Sequence, residues 1–285
     1  MELKDLRIFV TLAYEENTTK TAEVLNYVQS NITARIKKLE EEFQTPLFYR
    51  HSKGMTLTPK GRQLLDYAEQ IFHLIDETRH ALMDDELPFG HLRIGTNETT
   101  ASSKLPQLLA SYSKKNYPDV ELSLRVERTA FLLEDLFNYQ LDGAFMVGPI
   151  EHPDLVSTPV FTEKLVLFSS EPIQVHDVRD KTLLTRPNDL YRERLESWLE
   201  DEGIYPKRIM EFNTMESILN CVNAGLGFSI APISLVDSHK FDRPVSIYGI
   251  PESHANVQMI FVHRKEQHLD SALQKFVTLT KREVD

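Results

Sequence analysis

Apolar residues in the N-terminal part of the chain recur with a helical period. Leu3, Leu6, Val10 and Ala13 predict an amphipathic helix over 3–15, and Ala22 and Leu25 predict a short second helix capped by Thr18 or Thr19. After Asn26 and Tyr27, the residues Val28, Ile32, Ile36, Leu39 and Phe43 advance by four and three. At about 100° per residue they form one stripe. The opposite face presents Ser30, Thr33, Ala34, Lys37 and Lys38, with Gln29 at its edge. Short helices with a tight turn before a helix of polar outer face fit a helix-turn-helix. In TPLFYRHSKGMTLTPKG (45–61), Leu47-Phe48 and Met55-Thr56-Leu57 predict two strands around a basic tip, Arg50-His51-Ser52-Lys53-Gly54. Thr58 followed by Pro59 marks a helix start. From there Leu64, Ala68, Ile71, Ile75, Thr78 and Leu82 trace a heptad-type seam, which suits pairing with another helix or packing on its own domain.

Beyond DDELPFG (84–90), whose acids, Pro88 and Gly90 predict a hinge, the pattern changes. Strand-like runs at 91–97, 120–127, 143–148, 164–170, 182–186, 227–232 and 257–263 alternate with helical stretches. The helices fall at Leu105 to Lys115, Phe131 to Tyr139, Arg192 to Glu202, Met215 to Ala224 and Leu269 to Arg282. Such alternation predicts an α/β architecture with mainly parallel sheets.

Composition sharpens this picture. The 285 residues are 41% hydrophobic and 26% charged, a globular balance whose length suits about two domains. The single Cys221 excludes an intrachain disulfide and a multi-cysteine zinc site, and reads as a structural thiol rather than a redox switch. No run of about 18 apolar residues is present, and the N-terminus lacks the apolar core of a signal peptide; the expectation is a cytoplasmic protein without a membrane partner.

The net charge of -11 is unevenly spread. From Lys20 to Arg62 the bases Lys20, Arg35, Lys37, Lys38, Arg50, Lys53, Lys60 and Arg62 outnumber the acids Glu23, Glu40, Glu41 and Glu42. From Asp66 to Gly90 the balance reverses, with seven acids (Asp66, Glu69, Asp76, Glu77, Asp84, Asp85, Glu86) against Arg79. A basic head on an acidic body suits a polyanion, and a solvated basic face gives the same pattern.

The segment from Leu6 to Gly61 closely resembles the winged helix-turn-helix of the LysR-type transcriptional regulators, most strongly in QSNITARIKKLE, TPLFYR and LTPKG. LRIGTN, YPDVEL, LDGAFMVG and NAGLGFSIAP resemble the family's effector domain, which is itself similar to periplasmic binding proteins. The resemblance thus covers nearly the whole chain. It implies an α/β protein overall: a winged helix-turn-helix over 1–58, a linker and dimerisation helix with a hinge over 59–87, and an effector domain over 88–285. The effector domain would have one subdomain at about 91–161 and 266–285 and another at about 162–265, with a ligand cleft between them.

Carried onto this sequence, the resemblance assigns to DNA Thr18 and Thr19, then Gln29, Ser30, Asn31, Thr33, Ala34, Arg35 and Lys37, with Arg50 and Lys53 in the wing. Many members have arginine where this chain has Ala34, whose side chain reads only a thymine methyl. Implied partners are double-stranded DNA, a small-molecule effector, a second copy in a homodimer or homotetramer, and RNA polymerase; no cofactor is implied.

The cleft is expected at strand carboxyl ends and helix N-termini, where free N–H groups meet polar or anionic ligands. The candidates are Asn97, Glu98, Thr99, Thr100, Ala101, Arg128, Thr129, Arg192, Thr214 and Met215; Thr99, Thr100 and Thr214 also suit simple helix capping. Glu98 is a departure, since small hydroxyl residues are commoner there. An acid at a positive helix end competes for the anion position itself, so either the effector is not a simple dianion or Arg128 and Arg192 compensate for Glu98. Gly225 and Gly227 suit a helix end and a close strand approach. A solute-binding protein shares the second half's pattern, but the basic head opposes it. An enzyme finds no HExxH, GxSxG, Walker loop or Cys/His pairing here. No catalytic residue and no metal ligand is assigned.

Overall fold

The computed structural model describes residues 1–51, 54–82, 88, 90–265 and 271–282. Two compact units emerge, Met1–Glu86 with Glu134–Gln140, and Leu87–Leu133 with Leu141–Asp285.

In the first unit, α1 (Leu3–Glu15), α2 (Thr18–Leu25) and α3 (Gln29–Glu42) precede a hairpin of β1 (Phe48–His51) and β2 (Gly54–Leu57), and then α4 (Pro59–Leu82). The expected cap of α2 moves by one residue. Asn17, not Thr18 or Thr19, accepts the Thr19 and Lys20 N–H groups at 2.9 and 3.1 Å, because its extended backbone lets the amide oxygen reach over the first turn. Asn26, in a left-handed conformation, ends α2 and makes the turn into α3.

Ile32, Ile36 and Leu39 of the α3 stripe are buried with Ile8, Phe9, Leu12, Leu47 and Phe48. The stripe's ends are left out: Val28 is 68% and Phe43 41% exposed. Phe48 pairs with Leu57, so Arg50 and His51 lie within β1 rather than at the tip, and the turn itself, with Lys53, lies outside the described residues. Most of the expected hinge at 84–90 also lies outside them. Leu64 packs onto this core and Ala68 is buried, while Leu74 is exposed farther along α4; the side chain of Leu82 lies outside the described ones.

The start of α4 fixes its direction. Thr58 Oγ1 accepts the Gly61 N–H at 2.9 Å and donates to the Pro46 carbonyl at 2.8 Å, and the Thr58 N–H donates to the Leu47 carbonyl. Gly61 is needed because a Cβ there would stand 2.1 Å from the Leu47 oxygen.

The second unit begins with β3 (Gly90–Thr96), α5 (Glu98–Ser102) and α6 (Leu105–Ala110), which widens into a π-helical turn at Ser111–Asn116. The chain continues through β4 (Val120–Val126), α7 (Thr129–Phe137, of which the residues from Glu134 belong to the first unit), β5 (Gly143–Val147), β6 (Leu155–Ser169), β7 (Thr182–Thr185), α8 (Leu190–Asp201) and β8 (Arg208–Glu211). Then follow α9 (Met215–Asn223), β9 (Phe228–Pro232), α10 (Ile233–Ser238), β10 (Ser246–Gly249), α11 (Glu252–Ala255), β11 (Asn256–Arg264) and α12 (Ser271–Arg282). The strand order is β4-β3-β5-β11-β6-β9-β7-β8, with β10 beside β6.

The sheet is mixed rather than mainly parallel. β3 pairs in parallel with β4 and β5, as β7 does with β8 and β9, whereas every pairing of β6 and β11 is antiparallel. Those two strands set the plan. β6 contributes Val160 to a core of Leu92, Ile94, Tyr112, Phe145 and Phe276, and Leu165 to Phe168 to a second core around Leu183, Leu195, Trp198, Ile218 and Phe228. β11 likewise places Phe261 in the first core and Val257 in the second. Two α/β subdomains therefore share two continuous strands, and the carboxyl ends of β3, β4 and β7 open onto one cavity.

Candidate functional site

On the first unit, α3 leaves Gln29, Ser30, Ala34 and Lys37 exposed, with Asn31 and Thr33 half-buried. Gln29 Nε2 donates to Thr18 Oγ1 at 3.0 Å, tying the start of α3 to α2, and the Thr33 hydroxyl donates to the Gln29 carbonyl at 3.2 Å. Thr19 is exposed beside them. Lys37 lies 3.5 Å from Glu41 on the surface.

Arg35 behaves differently from its assignment. Its guanidinium turns back to Asp5 and lies 3.6 Å from Glu2, while its Nε donates to Asn31 at 3.2 Å. The Asp5 bond raises the Arg35 pKa. Asp5 itself is fully buried, and burial pulls its pKa upward. The Arg35 bond, the Glu2 N–H and the Lys38 charge outweigh that pull and hold the carboxyl below its ordinary range. Arg35 therefore fastens α3 to α1 rather than facing outward. In the wing Arg50 is 55% exposed and 3.9 Å from Glu40, which also accepts the Leu47 and Phe48 N–H groups and so fixes the hairpin's root.

The cavity in the second unit measures about 510 Å³. Its walls are Asn97, Glu98 and Thr99 after β3, Val126 to Thr129 at the end of β4, Val147 of β5, the loop Arg186 to Tyr191 after β7, and Asn213 before α9. Asn97 caps α5, accepting the Thr100 N–H and the Thr99 hydroxyl, each at 2.8 Å. Thr99 Oγ1 lies 3.0 Å from Tyr191 Oη, a bond between the subdomains. Burial pushes the Tyr191 phenol up to about 12, so it stays neutral. The Glu98 carboxylate accepts the Met215 N–H at 3.1 and 3.2 Å and Arg186 Nη1 at 3.0 Å. Arg186 Nε is held in turn by Asp189, which caps α8 through the Tyr191 N–H at 2.8 Å.

Of the effector-site candidates, the structure brings Asn97, Glu98, Thr99, Arg128 and Thr129 together in this lining. Thr100, Ala101, Arg192, Thr214 and Met215 lie outside it. Thr100 is buried and borders a separate cavity beside Lys104 and Phe161. Ala101 follows it in α5. Arg192 is drawn away by Glu196 and Glu211, each at 2.7 Å, and these bonds raise its pKa. Thr214 caps α9 through the Ser217 N–H. The Met215 side chain is buried, and only its N–H reaches Glu98. The sequence reading missed Arg186, Asp189 and Tyr191; the run RPND between a strand and a helix, with Asp as a capping residue, is the local signal for them.

Among the described residues no group of three or more His, Cys, Asp or Glu could hold a metal ion, and no helix is long and apolar enough to cross a membrane.

Two family descriptions match the chain: "Bacterial regulatory helix-turn-helix protein, lysR family" over residues 3–62 and "LysR substrate binding domain" over residues 85–285. The transcriptional regulator CzcR of Bacillus cereus is 44% identical over 279 residues, 97% of this chain and 96% of the relative. GltR of Bacillus subtilis is 43% identical over 283 residues, 98% and 95% of the two chains, and SoxR of an Arthrobacter species is 44% identical over 283 residues, 99% and 97%. Among solved structures, a full-length OxyR variant from Pseudomonas aeruginosa superposes with a TM-score of 0.75 at 23% identity, covering 98% of this chain and 93% of that one. CbnR in complex with its target DNA gives 0.72 at 22% identity with both chains fully covered.

Proposed function

The chain belongs to the LysR family of bacterial transcriptional regulators, and from that premise we propose that it reads dyad-symmetric promoter DNA through α3 and its wing and responds to a small molecule in the cavity at the strand ends. The observation that carries this reading is the outer face of α3, where Gln29, Ser30, Ala34 and Lys37 stand exposed on a helix locked from behind by the Arg35–Asp5 pair. A rigid helix with such a face suits a major groove, where amide and hydroxyl groups reach base edges and lysine reaches phosphate. Arg50 extends the contact along the wing, and the seam of α4 pairs two copies so that two recognition helices meet successive half-sites in a dimer or tetramer. The protein acts in the cytoplasm by binding alone, without catalysing a reaction. Ligand in the cavity favours one arrangement of the oligomer over another, which changes half-site spacing and the bend of the DNA.

DNase footprinting of the purified protein on the DNA upstream of its own gene tests this. A long protected stretch with two spaced dyad sites is expected. Gln29→Ala weakens binding to the specific site by roughly 5- to 150-fold, the range for one good base contact. Arg50→Ala weakens all sequences alike and lowers the salt slope by about one. Protection that is weak, salt-sensitive and independent of sequence on every fragment refutes the proposal.

A further inference from the structure

The Glu98 carboxylate stands where an anionic group of a ligand would have to go. It accepts the N–H of Met215, the first residue of α9, through both oxygens, and the guanidinium of Arg186 at 3.0 Å. Both donors come from the second subdomain, whereas Glu98 opens α5 in the first. A helix N-terminus and a guanidinium together attract negative charge, and here the chain supplies it. Two of the three Arg186 nitrogens already face carboxylates, Nη1 that of Glu98 and Nε that of Asp189.

The counter-charges that the sequence offered as compensation do not alter this corner. Arg192 is occupied by Glu196 and Glu211 outside the cavity, and Arg128 lines the cavity just beyond the end of β4, next to Glu127. The charged groups of the lining are Glu98, Glu127 and Asp189 against Arg128 and Arg186, so the cavity has no surplus of positive charge.

We propose that Glu98 is the specificity-determining residue of this cavity: a tethered carboxylate that fills its anion-receiving corner, so that the pocket refuses small dianions and takes ligands that present a neutral or cationic group to Glu98. A free dianion must displace a carboxylate that never leaves the site, and it competes against the high effective concentration that tethering gives. The same bonds join the two subdomains, so a ligand that engages Glu98 also acts on the contact that ties them together. This inference rests on reading the cavity as the effector site, but its test needs no DNA.

Malonate and sulfate are titrated calorimetrically into the full chain at constant ionic strength. Wild type is expected to show no saturable binding at millimolar concentration. Glu98→Ser, which removes the tether and leaves Arg186 and the Met215 N–H free, is expected to bind malonate at least tenfold more tightly, and Arg186→Gln added to that variant abolishes the gain. Glu98→Gln keeps an acceptor for the Met215 N–H and guards against a folding defect; it is expected to gain severalfold. Unchanged Trp198 fluorescence verifies the fold of each variant. Saturable malonate binding to wild type as tight as to Glu98→Ser, or no gain in either folded variant, overturns the proposal. A gain in Glu98→Ser without any specific footprint from wild type would instead leave the proposal standing and remove the regulator reading.

Discussion

Thr58→Ala isolates the joint between the winged unit and α4. The hydroxyl is buried, caps the helix by accepting the Gly61 N–H at 2.9 Å, and satisfies the Pro46 carbonyl at 2.8 Å. Losing an N-cap costs about 1 kcal/mol, and losing the bond to the carbonyl of the exposed Pro46 costs about 0.5 to 1.5 kcal/mol more, so the winged unit should lose about 2 kcal/mol. With a urea dependence of about 1 kcal/mol per molar for a unit of this size, its midpoint should fall by about 2 M. The chain's only tryptophan, Trp198, sits in a core of the second unit, so its fluorescence follows that unit alone while far-UV circular dichroism follows both. The expected result is an early dichroism transition in Thr58→Ala with the Trp198 transition unmoved. Thr58→Ser, which keeps both bonds, recovers most of the loss. A shift below about 0.3 M, or an equal shift of both signals, would refute the reasoning.

Three further outcomes follow from the same geometry. Asp5 has a folded pKa below its ordinary 3.8, so its contribution to stability is complete above that value and disappears as pH falls through the lower folded one. Asp5→Asn should therefore destabilise the winged unit at pH 7, with a deficit that shrinks as pH falls below 3.8, in urea titrations followed by dichroism; a deficit independent of pH would count against the Arg35 pair. Tyr191 is raised to about 12 from an unfolded value of 10.0, so burying its neutral form leaves stability untouched below pH 10 and lowers it progressively from 10 to 12. Tyr191→Phe should remove part of that alkaline loss while forfeiting about 1 kcal/mol at neutral pH with the Thr99 bond, read from Trp198 midpoints at pH 8 and 11. Gly227→Ala places a Cβ 2.1 Å from the Thr182 carbonyl, forcing β7 away from β9, and should cost more than about 3 kcal/mol in the Trp198 transition; a loss under about 1 kcal/mol would mean the strands part easily.

The elements legible in the sequence are those whose order is local. The α3 stripe buries Ile32, Ile36 and Leu39 as spaced, and Thr58-Pro59 starts a helix because cap and ring act within one turn. What escaped is set by distant partners. The first half of β6 is an example: Val156 to Glu163 alternates weakly around Pro159, which reads as a breaker. In the sheet that proline pairs with Ile260 at the register shift of β11, where the ladder is already irregular. β8 is exposed along its whole length because it lies at the sheet's edge, and its adjacent Ile209 and Met210 give no alternation to read.

The cavity divides along the same line. Asn97, Glu98 and Thr99 were readable because a strand end and a helix start adjoin in the chain, and Glu98 stood out as an acid in an unfavoured place. Its partner was not readable, because Arg186 lies 88 residues away and competes with Arg192 for the role. Both arginines flank the start of α8, so spacing alone does not choose between them. The choice falls to the loop: Asn188 turns the backbone through a positive φ and Asp189 caps the helix, which leaves Arg186 on the cavity side and commits Arg192 to Glu196, one turn along the helix. A charge without a local partner thus identifies a site before it identifies the contact. In this chain the anomaly at Glu98 said that the corner was already filled, and only the fold said from which side it is held.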